Sequence, residues 1–238
     1  MNVIDEFSRF ANLYDTYNII QMKVAIKLVS MIESEDYKSI LDIGCGSGLI
    51  YKEMLKSGIS FKNFIAVDFS KEMLDIHPNS TKIKKLRFDF NNRDSFIKMR
   101  KDKYSFIISS SALQWSVDLD MTLKEMSQLS NICYLSFFTS NTFSTLHNIA
   151  GVKSPIYSKE TIEYIVKKYF YASFEVVSYN LEFSNIYEML KYIKRSGVSG
   201  GNKQLNYKEM KHIIKHYPLG FLEFEVLFIK ATSKNYDE

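Results

Sequence analysis

The most constraining feature of this 238-residue sequence is its glycine-rich stretch, Leu41-Asp42-Ile43-Gly44-Cys45-Gly46-Ser47-Gly48. It lies where an apolar run typical of a strand meets a segment with helical spacing. Alternate glycines let the backbone take positive φ and approach a ligand closely, as in the nucleotide-type turns of α/β folds. Glycines also serve tight packing of a strand on a helix, so the turn alone leaves both interpretations open.

The periodicity around this turn predicts alternating strands and helices, which is typical of a parallel α/β sheet. The predicted strands cover residues 39–43, 64–67, 83–88, 104–109, 132–138, 174–183 and 221–231. The predicted helices cover residues 4–14, 19–31, 49–56, 71–76, 119–129, 143–150, 159–169, 186–195 and 207–216.

Composition narrows the class of protein. Hydrophobic residues make up 46% and charged residues 24%, which is average for a globular domain, and the length favours a single one. The start of the chain shows no secretory signal, and no apolar run approaches the ~20 residues that span a bilayer. Cys45 and Cys133 lie far apart, without metal-ligand spacing. We therefore expect a reduced cytoplasmic protein with no metal, no disulfide and no membrane contact.

Two acidic residues suggest the kind of ligand that the turn takes. Asp68 ends the second predicted strand about twenty residues after the glycines, where a carboxylate can accept hydrogen bonds from ribose hydroxyls. Asp42 precedes the glycines, and its charge disfavours a pyrophosphate at the start of the following helix. S-adenosylmethionine carries an amine and a sulfonium and no phosphate, so it suits this arrangement better. A plain turn or capping role for Asp42 stays open.

A third acidic residue follows the next strand. Asp89 can accept from an adenine amino group, and the ring of Phe90 can cover the purine face. A solvated loop is the alternative for Asp89.

At these motifs the sequence resembles the class I S-adenosylmethionine-dependent methyltransferases. The resemblance rests on the glycine-rich stretch, on Val67-Asp68-Phe69-Ser70 and on Met73-Leu74, and it covers residues 39–138. Over nearly the whole chain, the sequence is similar to the malonyl-acyl-carrier-protein O-methyltransferase family, which esterifies a malonyl carboxylate at the start of biotin synthesis. The matching residues are Phe7, Arg9, Ala11, Tyr14, Asp15, Gln21, Ser111-Ala112-Leu113-Gln114-Trp115, Phe138-Thr139, Leu146-His147, Phe183, Lys191, Lys194 and Gly197.

The resemblance implies a fold and a domain organisation. The expected fold is a Rossmann-like, seven-stranded, mostly parallel sheet whose last strand is antiparallel, with a helical cover over the cofactor cleft. One methyltransferase domain would span residues 1–238. It would comprise N-terminal helices (1–35), a cofactor-binding core (36–138), substrate-covering helices with the sixth strand (139–220) and the last strand (221–232). One departure is Leu129-Ser130-Asn131, which replaces the family's usual basic-Pro-Gly-Gly turn before the fifth strand.

The resemblance also implies the site residues. The cofactor-binding residues would be Asp42, Gly44, Cys45, Gly46, Asp68, Phe69, Met73, Asp89, Phe90 and Ser109. Tyr14 and Gln114 would lie near the transferred methyl group as the catalytic residues, although Tyr14 also fits a packed helix position. Since a malonyl carboxylate has a pKa near ~4, it needs no general base at pH 7, and no role is required of the four histidines.

The implied partner is an acidic malonyl-acyl carrier protein, with no nucleic acid, and we expect a monomer. Lys191, Lys194 and Arg195 share one helix face by their i, i+3, i+4 spacing and are the predicted carrier contact. A solvated face in a Lys-rich chain of net charge +4 is the alternative, and Lys208, Lys211 and Lys215 form a second basic surface.

Three rival functions stay open. Another small-carboxylate methyltransferase would share the cofactor site and the chemistry. A nucleic-acid methyltransferase is disfavoured, because amino-directed enzymes usually carry Asn/Asp-Pro-Pro-aromatic where this chain has Ser-Ala-Leu-Gln-Trp. A non-catalytic module would bind S-adenosylmethionine or a carrier without turnover.

Overall fold

A computed structural model describes residues 18–195 and 207–234, and the predicted helix over residues 4–14 lies outside them. The described residues contain a seven-stranded sheet. Its strands are β1 (Asp36–Ile43), β2 (Ser60–Asp68), β3 (Ile83–Arg87), β4 (Phe106–Ser110), β5 (Ile132–Phe138), β6 (Phe170–Glu182) and β7 (Phe221–Ser233).

The strand order is β3-β2-β1-β4-β5-β7-β6. β1 to β5 pair in parallel, and β7 runs antiparallel to β5 and to β6. The predicted fold class is therefore confirmed. The order reverses between β1 and β4, and in open α/β sheets this switch point, outside the carboxyl ends of the strands, is where ligands bind.

Helices cover both faces of the sheet. They are α1 (Ile19–Ser30), α2 (Leu49–Lys56), α3 (Lys71–Ile76), α4 (Arg93–Met99), α5 (Leu119–Met126), α6 (Ser144–Ala150), α7 (Lys159–Tyr169), α8 (Ile186–Arg195) and α9 (Tyr207–His216), with a 3₁₀ turn at Leu113–Trp115. None of the helices in the described part of the chain has the length and apolarity needed to cross a membrane.

The sheet separates two apolar layers of the core, and successive side chains of β1 point into one layer and then the other. Ile40 belongs to the layer that α1 and α2 cover, whereas Leu41 and Ile43 belong to the layer that α4, α5 and α7 cover. Because side chains alternate in a strand, Asp42 shares the α1 and α2 face with Ile40. Both faces of the strand are buried, as in a doubly covered parallel sheet.

The structure adds one helix to those predicted and begins three strands, β1, β2 and β6, three or four residues earlier than predicted. Helix α4 was not predicted, because its seven residues bury only Phe96 and Met99; its start is capped by Asn92, whose side chain accepts from the Asp94 N–H at 2.9 Å. Strand β6 begins at Phe170 rather than at residue 174. It follows α7 without any intervening turn residue, so no turn motif marks the change from helix to strand.

Helices α4 and α5 are joined by a buried carboxylate. The side chain of Glu125 is 1% exposed, accepts from Arg93 Nε at 2.8 Å, and contacts the Arg100 guanidinium. Burial raises the pKa of the Glu125 carboxyl, but the two guanidinium groups outweigh burial and hold the pKa below its ordinary value. This stabilisation is complete above the unfolded-state pKa and is lost as the pH falls through the lowered folded-state pKa.

We expect the double change Arg93→Ala/Arg100→Ala to lower the free energy of unfolding by about 3–5 kcal/mol, because it leaves the Glu125 carboxylate buried and unpaired. Urea denaturation followed by circular dichroism measures the loss. Adding Glu125→Met should recover much of it, since an apolar side chain of similar volume carries no desolvation penalty. Equal instability of the double and triple variants would contradict this account.

Candidate functional site

The glycine turn is anchored to the neighbouring strand. The backbone N–H groups of Gly44 and Cys45 both donate to the Val67 carbonyl, at 2.8 and 3.0 Å. Gly44, Gly46 and Gly48 have φ values of 73°, 50° and 84°, a region that favours glycine. These bonds hold the turn at the carboxyl ends of β1 and β2, at the edge where the switch point lies.

The two outer glycines of the turn are needed for close packing, whereas the middle one faces open space. A Cβ at Gly44 would lie 2.4 Å from the Ala112 Cβ in the loop after β4, and one at Gly48 would lie 2.7 Å from Pro78 Cδ. At Gly46 a Cβ would meet no heavy atom of the described residues within 4 Å. The space for a ligand therefore lies beside Gly46.

Asp42 has an unusual environment for a carboxylate. Its side chain is fully buried, and neither oxygen has a hydrogen-bond partner among the described residues. Burial, and then the nearby charge of Asp68, raise its pKa well above the ordinary value. A buried acceptor of this kind normally has a donor, so the site is incomplete without one.

Asp68 is buried as well, but it is hydrogen-bonded. Its two carboxylate oxygens accept from the backbone N–H groups of Gly46 and Ser70, both at 2.9 Å. Burial raises its pKa, and these backbone hydrogen bonds offset only part of that rise. Each carboxylate oxygen has a second lone pair, so Asp68 can accept further bonds from a ligand beside Gly46.

The loop after β4 forms the other wall. The Ser109 hydroxyl donates to the Ile43 carbonyl at 2.7 Å and ties β4 to the end of β1. The Gln114 amide donates to the Ser111 carbonyl at 2.7 Å, which leaves the buried Gln114 Oε1 without a partner in the described chain. This loop touches the glycine turn through Ala112.

The structure separates the remaining predicted cofactor residues into two environments. Cys45, Met73 and Phe90 are buried, and Phe90 joins the apolar layer of α4 and α5. Phe69 is half-buried, and Asp89 is exposed and accepts from the Asn91 N–H at 2.9 Å. Burial and then the charges of Asp42 and Asp68 raise the pKa of the Cys45 thiol, so it is no nucleophile.

Three other predicted residues fall, wholly or in their side chains, outside the described part of the structure. Tyr14 lies outside the described residues, as do the side chains of Lys194 and Arg195. Lys191 is half-exposed on α8, with its Nζ 3.5 Å from the Glu188 carboxylate.

Sequence reasoning gave no role to two residues that the structure singles out. Ser111 has a φ of 54°, and its buried hydroxyl oxygen has no partner among the described residues. Gln21 on α1 is buried with its Oε1 equally unpaired there. Both residues belong to the segments that match the family, and that match was the available evidence for a role. No spacing pattern predicted that their polar atoms would be buried without a hydrogen-bond partner among the described residues.

Histidine 77 lies behind the turn rather than in the open space. A Cβ at Gly48 would lie 2.9 Å from its ring, and Nδ1 lies 3.1 Å from the Pro78 carbonyl. Burial lowers the pKa of His77 to about 4, so the ring is neutral at pH 7. This agrees with a packing role.

Comparison with known proteins agrees with this geometry. Residues 40–131 match the family model described as a methyltransferase domain. The chain is 30% identical over 163 residues to a malonyl-[acyl-carrier protein] O-methyltransferase of Halalkalibacterium halodurans, covering 60% of this chain and 56% of that protein. A protein of the same name from Brevibacillus brevis is 24% identical over 97% of this chain and 95% of its own length. In the alignments at 30% identity over 146 to 163 residues, the chain spans about half the length of those relatives.

Solved structures show the same architecture at low identity. The YcgJ protein from Bacillus subtilis superposes with a TM-score of 0.65 at 14% identity, covering 89% of this chain and 99% of that one. A Haemonchus contortus phosphoethanolamine N-methyltransferase, in complex with S-adenosyl-L-methionine, gives a TM-score of 0.59 at 13% identity over 98% of this chain and 60% of its own. The chain thus carries a methyltransferase domain and has the Rossmann-like fold of the class I S-adenosylmethionine-dependent methyltransferases.

Proposed function

We propose that the protein is an S-adenosylmethionine-dependent carboxyl O-methyltransferase that converts the free carboxylate of malonyl-acyl carrier protein into its methyl ester at the start of biotin synthesis. The observation that carries the cofactor assignment is the buried carboxylate of Asp42, which precedes the glycine turn and has no hydrogen-bond partner among the described residues. The substrate assignment is supported by the relatives named for this reaction, two of which align over at least 94% of their own length.

The unpaired groups of the site fit this cofactor. Asp42 offers two acceptor oxygens and Gln114 offers one, and these buried atoms have no partner among the described residues. S-adenosylmethionine brings an ammonium group and ribose hydroxyls as donors, whereas a phosphate would add further acceptors. Acceptors that lack donors favour the first ligand and disfavour the second.

The cofactor would be held along the carboxyl ends of the first three strands. Asp68 would accept from the ribose hydroxyls while keeping its bonds to Gly46 and Ser70. The other proposed contacts are Gly44, Cys45, Phe69, Met73, Asp89, Phe90 and Ser109. The exposure of Asp89 leaves its carboxylate accessible to an adenine amino group.

The chemistry requires positioning more than proton transfer. When bound, S-adenosylmethionine supplies an electrophilic methyl group on its sulfonium. The malonyl carboxylate is already ionised at pH 7, so no residue of the chain has to remove a proton. The protein's part is to align the carboxylate oxygen with the methyl group and to exclude water. Gln114 and Tyr14 are the residues proposed to orient the reacting groups.

Carrier recognition is assigned to the helices before β7. The proposed contact on α8 is Lys191, Lys194 and Arg195. The adjacent Glu188 offsets part of the charge of Lys191, so α8 alone offers a weakened attraction for an acidic partner.

A second relative favours a different acceptor. A ubiquinone biosynthesis O-methyltransferase of Pelagibacter ubique is 28% identical over 128 residues, covering 54% of this chain. Phenolic hydroxyl groups have pKa values near ~10 and are neutral at pH 7, so such a reaction calls for a base. The buried, neutral His77 lies behind the glycine turn, away from the open space, which favours an acceptor that is already ionised.

Labelled methyl transfer to malonyl-carrier protein, malonyl-coenzyme A, free malonate and a catechol, run in parallel, tests the proposed function. We expect base-labile methyl ester on a malonyl thioester and none on the catechol. Asp68→Ala should weaken cofactor binding at least about tenfold by calorimetry, because a charge-assisted acceptor is worth about 1.5–3 kcal/mol. Binding of the cofactor without transfer to any malonyl compound would reject the proposed reaction.

The raised pKa of Asp42 predicts a pH-dependent cofactor affinity. In the free protein the carboxyl holds its proton to higher pH, whereas an ammonium ligand requires the carboxylate, so binding releases a proton. Cofactor affinity should therefore rise with pH above the ordinary carboxyl pKa of ~4, up to the range near ~8 where an α-amino group loses its own proton. Isothermal titration calorimetry in buffers of different ionisation enthalpy measures both the affinity and the proton release.

Asp42→Asn is the matched variant, since it keeps the shape and removes the titration. It should bind the cofactor more weakly and with a shallower pH dependence, the remaining slope coming from Asp68, whose pKa is also raised. The folding stability of the free protein depends on pH in the opposite direction to the cofactor affinity. Because the folded-state pKa of Asp42 lies above the unfolded value, the folded state binds more protons and loses stability as the pH rises through that window. An unchanged pH slope in the Asn variant would refute this role.

A further inference from the structure

The positive charge of the chain is concentrated in one segment. Residues 183–220, between β6 and β7, contain seven Lys and Arg and two Asp and Glu, a net charge of +5. The rest of the chain contains 24 Lys and Arg and 25 Asp and Glu, a net charge of −1. The overall charge of +4 therefore comes from this segment and not from a uniformly lysine-rich surface.

The strand register places this segment at the edge of the sheet that carries the site. Glu182, the last residue of β6, pairs with Phe221, the first residue of β7. β7 is antiparallel to β5, and Phe138 at the carboxyl end of β5 pairs with Val226. Residues 221–225 therefore extend beyond the carboxyl end of β5, and α8 and α9 connect to the sheet there. The glycine turn and the loop after β4 lie at the same edge.

Helix α9 presents a basic stripe on its outer side. Ile213 is fully buried in the core layer that α1 and α2 share, and α9 packs against α6. Lys208, Lys211 and Lys215 are exposed and follow one another at i, i+3 and i+7, so they lie on one side of the helix over about 10 Å. We call these three lysines the α9 docking face. Glu209, the acidic residue of α9, is partly buried.

We propose that the α9 docking face binds the acidic surface of the carrier protein that delivers the malonyl group. This inference rests on the proposed function. A compact acidic domain matches a basic patch of this size at the site edge, whereas an extended nucleic acid would need positive charge beyond this segment, and the rest of the chain has a net charge of −1. Complementary charge of this kind mainly raises the association rate, and salt screens it.

The test compares Lys208→Glu/Lys211→Glu/Lys215→Glu with a control of equal charge change, Lys98→Glu/Lys101→Glu/Lys103→Glu. The control lysines are exposed and precede β4, at the opposite edge of the sheet. Steady-state kinetics with malonyl-carrier protein and malonyl-coenzyme A are measured at about 20 mM and about 500 mM salt. Binding of the unacylated carrier and of a single-stranded RNA is measured by surface plasmon resonance.

In the α9 variant we expect KM for malonyl-carrier protein to rise about tenfold at low salt and much less at high salt. KM for malonyl-coenzyme A should change less, kcat should stay the same, and carrier binding should weaken. The control variant should match the wild type. Unchanged carrier kinetics and binding, or an equal effect of the control, would overturn the proposal. Loss of RNA binding with intact carrier binding would identify a nucleic acid instead.

The two proposals fail in different ways. If the wild type methylates no malonyl thioester, the proposed function is wrong, and the binding measurement with unacylated carrier still decides the docking face. If the wild type methylates malonyl-carrier protein and the α9 variant does so with unchanged KM at low salt, the docking face is wrong and the proposed function stands.

Discussion

The site depends on one constraint, a carboxylate buried in the central strand for which the described residues provide no donor. Asp42 lies between β2 and β4, paired in register with Ala66 and Ile108, and it is closed off from solvent. Such a group would normally be costly, and it persists where a ligand supplies the missing hydrogen bond. The surrounding loops keep this position dry and close to a second acid, Asp68.

The loops achieve this through close backbone contacts rather than through large side chains. Gly44 is pressed against Ala112, and Gly48 is pressed against Pro78, so the turn is held from both sides. Gly46 alone faces open space, and its N–H fixes Asp68 at that opening. The result is a turn held by backbone contacts that presents the Asp68 carboxylate beside Gly46.

Much of this could be predicted from the sequence. Strand and helix alternation predicted the parallel core, and the glycine turn with Asp68 about twenty residues later indicated the edge of the sheet at which we propose the cofactor site. The rest depends on tertiary contacts that no local pattern encodes. The unpaired state of Asp42 requires knowing which helices cover its face, and the φ of Ser111 follows from how the loop after β4 meets the turn. Helix α4 was missed because its two buried residues are too few to show a period.

The site geometry and the charge distribution of the chain would act on different reactants. Within the site, the unpaired acceptors Asp42 and Gln114 select donors, and they offer nothing to attract a substrate that carries its own carboxylate. Under the proposed function, the anionic substrate would be brought to this edge by charges outside the site. The segment between β6 and β7 supplies them, because it holds the chain's excess of Lys and Arg and connects to the sheet at that edge. In that proposal, the basic segment attracts the acidic carrier, and the buried acceptors of the site select the cofactor by its hydrogen-bond donors. The carrier therefore does not compete for the cofactor's position.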